Sequence, residues 1–159
     1  MIKMIVCTDI NGGIGRNNDL LFHIKEDMKF FKEKTLGCKI VMGYNTWLSL
    51  PNKPLPNREN YVLYDGEEEI VGAKVLRDFN EVVELGKLFD VFIIGGGMLY
   101  NSIIHSKVLD EAYITYVFEN GDADVFIDLK ALQQLLPCGE FIKDISTDKL
   151  RVEIIKLYK

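Results

Sequence analysis

The stretch that decides the fold is residues 90–100, "DVFIIGGGMLY", in which a short apolar run meets three consecutive glycines. The uncharged run from Val91 to Ile94 is typical of a strand that is buried on both faces. Gly95–Gly97 end this strand, and the residues after them predict the start of a helix. A buried strand that leads directly into a helix is the repeating unit of a parallel sheet covered by helices.

The same alternation of strands and helices extends along the chain on both sides of this stretch. Strands are predicted at 1–10, 38–43, 59–65, 73–76, 90–97 and 109–119. Helices are predicted at 24–34, 44–50, 78–87 and 98–106. Loops are predicted at 11–15, 51–57 and 121–126, and a helical turn or loop at 128–137. Alternating strands at 140–147 and 150–159, around the tight turn "TDK" (147–149), predict a terminal hairpin.

We therefore expect an α/β fold in a single domain that spans residues 1–159. Its centre is a mixed, mainly parallel sheet of about eight strands, with helices on both faces and the antiparallel C-terminal hairpin at one edge.

The composition is that of an ordinary globular protein, with 48% hydrophobic and 27% charged residues among 159. The net charge of -5, without a basic cluster, argues against a nucleic-acid partner. The apolar run at the start is too short to cross a membrane and lacks the shape of a signal peptide. Three cysteines without a pattern indicate free thiols in a reducing compartment. We therefore expect a cytoplasmic protein without a membrane partner, and we assume a monomer, which these observations do not address.

Three turns that follow predicted strands, at 11–15, 43–47 and 95–97, are candidates for one ligand cleft, because ligands bind at the carboxyl ends of strands in such sheets. Backbone N–H groups at a helix start favour phosphate, although Gly95–Gly97 is equally consistent with a plain tight turn. Asn45 or Thr46 can cap the helix at 44–50, which on its own is usually a structural feature, and Asp78 is the expected cap of the helix at 78–87.

An acid stands in the apolar stripe of the first predicted helix. A helix from Ile24 places Ile24, Asp27, Met28 and Phe31 on one face. Buried acids are costly and tend to be functional or paired, whereas a surface acid at a misjudged register is the alternative for Asp27.

Metal and covalent chemistry find no support in the sequence. The two histidines, His23 and His105, have no Cys, His or acid at ligand spacing, so we predict no metal site. No Ser or Cys lies in a nucleophile motif, so covalent catalysis is not indicated.

Six segments, in order, resemble dihydrofolate reductases over nearly the whole chain. They are "NGGIGRNNDL" (11–20), "FHIKEDMKFFK" (22–32), "KIVMGYNTWLSLP" (39–51), "KPLPNRENYVL" (53–63), "VFIIGGGMLY" (91–100) and "AYITYV" (112–117). The resemblance implies an oxidoreductase that reduces 7,8-dihydrofolate to tetrahydrofolate. A hydride would pass from C4 of the nicotinamide of NADPH or NADH to C6 of the substrate, and a proton would go to N5.

The resemblance also implies the residues of the substrate site. Asp27 matches the acid that anchors the pterin and promotes protonation of N5, and Thr115 matches the threonine that supports it. Phe22 and Tyr100 match residues beside the reacting rings. Arg58 would hold the glutamate tail. The other implied substrate contacts are Ile5, Val6, Cys7, Met28, Phe31, Leu50, Leu55 and Ile94.

The implied cofactor site draws on several loops and two helix starts. Gly95 and Gly96 match a glycine pair that the family joins by a cis peptide bond. The implied cofactor contacts are Cys7, Ile14, Gly15, Asn18, Leu20, Gly43, Tyr44, Asn45, Thr46, Leu63, Tyr64, Asp65, Arg77, Ile94, Gly95, Gly96, Gly97, Met98, Leu99 and Tyr100.

The chain departs from the family pattern at two places. Leu21 and Phe22 stand where a proline and a tryptophan are common, and a phenylalanine ring cannot hold a water through an N–H, so we predict altered proton delivery. The residues that usually select the 2'-phosphate of NADPH are replaced by Tyr44, Leu63, Tyr64, Asp65 and Met98. We therefore predict a weakened preference for NADPH over NADH, unless Arg77 or Lys74 compensates.

Two other functions are consistent with the sequence. The riboflavin-pathway pyrimidine reductases share the fold and the cofactor, but they do not need an acid at Asp27. A catalytically silent family member that serves as a binding or structural protein is the other alternative, because of the changes at Phe22, Tyr44 and Met98.

Overall fold

The computed structural model describes all residues from Met1 to Lys159. Its strands are β1 (Ile2–Thr8), β2 (Gly13–Arg16), β3 (Asp19–Leu20), β4 (Lys39–Gly43), β5 (Glu59–Leu63), β6 (Lys74–Leu76), β7 (Val91–Gly95), β8 (Glu111–Val117), β9 (Val125–Phe126), β10 (Cys138–Asp144) and β11 (Val152–Tyr158). Its helices are α1 (Lys25–Thr35), α2 (Tyr44–Ser49), α3 (Phe79–Leu88), α4 (Gly97–His105) and α5 (Leu129–Leu135).

The predicted central sheet is confirmed. It has eight strands in the order β10-β11-β8-β1-β7-β4-β5-β6. All pairs from β8 to β6 are parallel, whereas β11 runs antiparallel to β8 and β10 runs antiparallel to β11. The carboxyl ends of β1, β4, β5, β6 and β7 therefore meet at one edge, where ligands bind in sheets of this class.

Helices cover both faces of the sheet, as predicted. On one face, β1 and β7 contribute Met4 and Ile93 to a cluster that includes Ile103 from α4 and Leu132 from α5. On the other face, Trp47 of α2 joins a second cluster, against which α1 packs through Phe30 and Phe31. The inner strands β1, β4, β7 and β8 are buried on both sides, which explains their uninterrupted apolar runs in the sequence.

A second, small sheet is present where the sequence predicted only loops. It has the order β3-β2-β9, and the predicted loops at 11–15 and 121–126 contribute β2 and β9. Gly13 pairs with Phe126 and Gly15 with Val125. These pairs join segments distant in the chain, and glycine has little strand propensity, so the local pattern could not indicate them.

The helix caps agree with the predictions at one place and differ at another. Asp78 caps α3 and accepts a hydrogen bond from the N–H of Glu81 at 3.0 Å, as expected. The prediction that Asn45 or Thr46 caps α2 is wrong, because the cap residue is Gly43 and no side chain caps this helix. The segment predicted as a helical turn or loop at 128–137 contains α5, which Asp128 caps.

The terminal hairpin has the tight turn that the sequence predicted. The N–H of Thr147 donates to the carbonyl of Leu150 at 2.8 Å, so only Asp148 and Lys149 lie between the paired residues. Its outer strand, β10, is exposed along its whole length and forms one edge of the sheet. No helix in the structure has the length and apolar character needed to span a bilayer.

Candidate active site

The acid of the first helix lies in contact with the central sheet. Asp27, in the first turn of α1, is half-buried, and it accepts a short hydrogen bond from the hydroxyl of Thr115. Thr115 lies on β8, is 2% exposed and pairs in parallel register with Cys7 of β1. A helix and two strands thus place one carboxylate in the cleft at the sheet edge.

The surroundings of Asp27 favour its neutral form more than water does. Burial raises the pKa of its carboxyl group, and the hydrogen bonds from Thr115 and Cys7 act in the opposite direction. Burial, together with the nearby charge of Asp27, also raises the pKa of the Cys7 thiol, which is therefore a poor nucleophile. A carboxylate can accept about four hydrogen bonds, so Asp27 keeps acceptor capacity for a ligand with N–H groups.

The strand β1 is fixed beside this carboxylate by Tyr100. The buried hydroxyl of Tyr100, from α4, donates to the carbonyl of Ile5 at 2.7 Å. Burial is the main cause that raises the pKa of Tyr100, followed by the charge of Asp27. Ile5 and Val6 are 7% exposed, so their side chains belong to the core and their main chain is what β1 presents at the cleft.

The apolar stripe of α1 differs from the prediction at one position. Met28 is 56% exposed, so the expectation that it belongs to the buried stripe is wrong. Phe30 packs against the sheet instead, with its ring centroid 6.2 Å from that of Tyr113. The helix approaches the sheet through Phe30 and Phe31, which leaves Met28 exposed.

The guanidinium group of Arg58, from the loop before β5, lies against the C-terminal end of α1. Arg58 donates through Nε to the carbonyl of Pro56 at 2.9 Å and through Nη1 to Oγ1 of Thr35 at 3.1 Å. Its charge lies 5.9 Å from the ring centroid of Phe31, and partial burial lowers its pKa. Leu50 and Leu55, half-buried, pack against the same apolar cluster as Phe31. A planar fork fixed in this way suits a carboxylate ligand.

Two residues that position Arg58 were not identified from the sequence. Thr35 is fully buried, and its hydroxyl donates to the carbonyl of Phe31 at 2.8 Å while it accepts from Arg58. Asn60 is 5% exposed and bonds to Leu55 N, Leu55 O and Arg58 O at 2.9 to 3.0 Å, which holds the proline-rich loop. An amide side chain directly before the apolar residues Tyr61 to Leu63, as in Asn60, was the available signal.

Leu21 and Phe22 rest on the loop that follows β8. A Cβ atom on Gly121 would lie 2.6 Å from Cδ2 of Leu21 and 3.0 Å from Cζ of Phe22, so the residue at 121 must be glycine for this contact. Phe22 also packs, together with Cys7, against a small cluster around Val117. The structure therefore brings Phe22 to the same end of the cleft as Cys7.

The glycine turn after β7 lies against the start of α2. The Gly95–Gly96 peptide bond is cis, as the resemblance implied. Gly95 has a φ of +137°, and a Cβ atom on Gly96 would lie 3.2 Å from Oγ1 of Thr46. The starts of α2 and α4 therefore lie side by side, and main-chain N–H groups rather than side chains are presented where phosphates could bind.

The other predicted cofactor residues differ in how exposed their side chains are. Leu99 and Tyr100 are 5% and 4% exposed, so their side chains belong to the core. Asn18 and Leu20 lie on the exposed part of the 10–22 segment, whereas Ile14 packs against the main core cluster. Ile94 is half-buried at the end of β7, next to the glycine turn.

A cavity of about 350 Å³ lies at the carboxyl ends of β4, β5 and β6. The rings of Tyr44 and Tyr64 stack there, with their centroids 4.2 Å apart. The lining combines the predicted cofactor residues Tyr44, Leu63, Tyr64, Asp65 and Arg77 with Asp78 and Phe79, which were not predicted. Met98, in the first turn of α4, is 89% exposed and contributes no charge.

The cations suggested for this cavity are engaged elsewhere. The guanidinium of Arg77 donates to the main-chain carbonyls of Gly66, Glu67 and Glu68. Lys74 forms an ion pair with Glu59 at 3.4 Å, and both residues lie at the amino ends of their strands, away from the cavity at the carboxyl ends.

Each histidine pairs with one acid. Nε2 of His23 lies 3.4 Å from Oδ2 of Asp19, and Nε2 of His105 lies 2.9 Å from Oδ2 of Asp128. The structure contains no group of three His, Cys, Asp or Glu side chains that could hold a metal ion.

Comparison with known proteins gives consistent matches. The family model described as dihydrofolate reductase matches residues 1–135. The dihydrofolate reductase of Ureaplasma parvum is 37% identical over 131 residues, which cover 80% of this chain and 81% of the relative. That of Bacillus subtilis is 33% identical over 126 residues, 78% of this chain and 73% of the relative.

A solved structure is similar over almost its full length. It is dihydrofolate reductase from Enterococcus faecalis complexed with NADP(H) and RAB-propyl, with a TM-score of 0.81 and 25% sequence identity, and the match covers 99% of this chain and 95% of that chain. With a family model that matches most of its length and relatives above 30% identity, the chain belongs to the dihydrofolate reductase family.

Proposed function

We propose that this protein reduces 7,8-dihydrofolate to tetrahydrofolate with NADPH. The observation that carries the proposal is the Asp27–Thr115 pair at the sheet edge, together with Arg58, which donates to Thr35 at the far end of the helix that carries Asp27. The pair supplies an anionic acceptor with unused capacity, and Arg58 supplies a cationic fork. A folate has an amidine-like pterin edge at one end and carboxylates at the other, and it matches both.

In this proposal Asp27 binds the ring N–H and the 2-amino group of the pterin, and its charge favours protonation at N5. The hydroxyl of Thr115 holds the carboxylate in the orientation that faces the cleft. Phe22 and Phe31 enclose the rings and exclude water, while Arg58 binds a carboxylate of the substrate tail. NADPH, when bound, supplies the hydride that C6 receives.

The chain offers main-chain groups that suit a dinucleotide. The starts of α2 and α4 lie side by side at the glycine turn, where the absence of Cβ atoms on Gly95 and Gly96 allows close approach. In the proposal these two helix starts hold the phosphates, and the carbonyl and N–H groups of Cys7 and Ile94 orient the nicotinamide.

We further propose that the enzyme discriminates weakly between NADPH and NADH. The cavity beside Tyr44 contains the carboxylates of Asp65 and Asp78, and Tyr64 donates its hydroxyl to Glu68 at 2.7 Å. Arg77, the only cation in the lining, is already bound to three carbonyls. A 2'-phosphate would therefore meet little free positive charge, whereas a 2'-hydroxyl could donate to a carboxylate.

The proposed activity is tested by following the loss of NADPH absorbance on addition of dihydrofolate. Wild-type protein should turn over, and Asp27→Asn should lower kcat/KM at least about a hundredfold, equivalent to about 2.7 kcal/mol. Absence of turnover in the wild type would favour the silent family member, and reduction of a phosphorylated ribosylaminopyrimidine instead of dihydrofolate would favour the riboflavin-pathway reductase. The same assay with NADH tests cofactor choice, because a preference for NADPH above about a thousandfold, roughly 4 kcal/mol, would contradict weak discrimination.

We also propose a cytoplasmic, single-domain monomer that binds neither nucleic acid nor membranes. The three free cysteines and the net charge of -5 support this. Light scattering at assay concentration would test the monomer, and a mass of twice 18.2 kDa would contradict it.

A further inference from the structure

A second carboxylate, one residue beyond β1, has no part in the proposed chemistry and yet is completely buried. Asp9 is 0% exposed. Its Oδ1 accepts from the N–H groups of Asn11 and Gly13, both at 2.8 Å, and its Oδ2 accepts from the N–H of Gly121 at 3.0 Å. Three main-chain N–H groups and no cation satisfy this buried acid. This is unusual, because an acid in a surface turn normally accepts only one main-chain hydrogen bond.

The three donors belong to two different loops. Asn11 and Gly13 begin the 10–22 loop, which connects β1 to α1 and contains β2 and β3. Gly121 belongs to the 118–124 loop, which connects β8 to β9. A further bond, from the N–H of Ile10 to the carbonyl of Glu119 at 3.2 Å, joins the same two loops. Asp9 therefore fastens one loop to the other.

The bond to Gly121 also reaches the far end of the 10–22 loop. Gly121 is the residue against which Leu21 and Phe22 pack, with no room for a side chain between them. One carboxylate thus contacts the first residues of the 10–22 loop directly and supports its last residues through Gly121.

The same loop lies over the start of α4. A Cβ atom on Gly97 would lie 2.7 Å from Cγ1 of Val125 and 3.8 Å from Cδ1 of Ile14. Ile14 lies on β2, and Val125 lies on β9, its partner strand. A shift of β2 or β9 would therefore be felt at the glycine turn where the dinucleotide is proposed to bind.

We propose that Asp9 is a positioning residue for hydride transfer, which fixes both ends of the 10–22 loop against the 118–124 loop. The inference rests on the proposed reductase function. Asp9 touches neither substrate nor cofactor in this proposal, and it acts through the placement of Phe22 at one end of the loop and of β2 at the other.

Asp9→Asn distinguishes the hydrogen bonds to the two loops, because it changes the chemistry of the side chain without changing its size. The amide oxygen can keep the bonds from Asn11 and Gly13, because two N–H groups converge on Oδ1. The NH2 group would then face the N–H of Gly121, and two donors cannot bond to each other. Asp9→Asn should therefore leave the turn at 9–13 intact and remove only the bond to Gly121, while the bonds from Ile10 to Glu119 and from Asp124 to Gly15 still join the two loops.

The test compares wild-type protein with Asp9→Asn in single-turnover hydride transfer and in amide hydrogen exchange followed by NMR. We expect the Gly121 amide of Asp9→Asn to exchange at least about tenfold faster while that of Gly13 stays protected. Hydride transfer should slow about tenfold, with a larger isotope effect on kcat from C4-deuterated NADPH and a KM for dihydrofolate within about twofold of the wild type. A merely structural role would lower the fraction of folded protein without changing these constants per folded molecule.

Asp144→Asn is the matched control. Its Oδ1 accepts from the N–H of Ser146 at 2.8 Å, the same local turn that Asp9 makes with Asn11, but it is exposed and lies in the terminal hairpin. This variant should transfer hydride at the wild-type rate.

Two results would overturn the inference: unchanged protection of Gly121 in Asp9→Asn, or an unchanged rate of hydride transfer once that protection is lost. A wild-type protein without reductase activity would instead contradict the proposed function, and the exchange of Gly121 would still decide whether Asp9 joins the loops.

Discussion

Asp9 and Asp27 are two buried or half-buried acids at the same end of the sheet, and they differ in how much of their hydrogen-bonding capacity the protein itself uses. Asp9 accepts three main-chain N–H groups and has no exposed surface. Asp27 accepts one hydroxyl, beside a thiol, and remains half-exposed to the cleft. The difference indicates that a satisfied acid maintains the framework, whereas an acid with unused acceptor sites is kept for a ligand.

The largest expected effect is on the free energy of unfolding, which should change in opposite directions when the two acids are substituted. Asp9→Ala leaves three buried N–H groups without acceptors and should lower the free energy of unfolding by about 3 kcal/mol. Asp27→Asn removes a charge that burial disfavours, and it should raise that free energy by about 1 kcal/mol. Urea unfolding at pH 7 measures both. Equal losses in the two variants would remove the distinction between framework and ligand acids.

A smaller effect is expected when Asp27 loses its only hydroxyl partner. Thr115→Val should lower kcat/KM roughly tenfold, about 1.4 kcal/mol, because the carboxylate is no longer held toward the cleft. The bond from Thr115 lowers the pKa of Asp27, so its loss should move the acid limb of the pH profile to higher pH.

Thr147→Val, in the exposed terminal turn, is the control for this change and should leave the pH profile in place. A profile for Thr115→Val that superimposes on the wild type would show that the hydroxyl does not tune the acid.

The smallest effect concerns the dependence of stability on pH. The pKa of Asp27 is raised in the folded state above its ordinary value of 3.8, so the folded protein holds a proton there that the unfolded chain has already lost. The free energy of unfolding contributed by Asp27 therefore falls as pH rises from 3.8 through the raised pKa, and it stays constant above it.

The difference in unfolding free energy between Asp27→Asn and wild type should thus increase as the pH rises from 3.8 through the raised pKa. It should reach no more than about 1 kcal/mol. A difference that stayed constant from pH 3.5 to pH 7 would show that the carboxyl group is not perturbed by burial.

The contrast between the two acids also explains what could be predicted from sequence. Asp27 stood out because helical periodicity placed a charge among apolar residues, and periodicity is a local property. Asp9 had a local signal too, an acid directly after a buried strand with glycines three and four residues later. Its importance depends on Gly121, which no local pattern connects to it.

The same reasoning applies to the elements of the fold. The eight strands of the main sheet were predicted, with errors confined to their ends, because the inner strands have continuous apolar runs and the terminal pair flanks a tight turn. The pairing of β2 with β9 joins glycine-containing segments far apart in the chain, and so it was missed. The exposure of Met28 depends on the angle at which α1 meets the sheet, which Phe30 and Phe31 set.

The position of β11 has a consequence for the order in which the site can form during synthesis. β11 follows β9, α5 and β10 in the chain, yet it lies directly against β8, where Ile154 pairs with Thr115. Until β11 has left the ribosome, the strand that carries Thr115 has an open edge that can pair with another chain. The partner of Asp27 therefore reaches its final environment only after β11 has paired with β8, and until then the unpaired edge of β8 favours association.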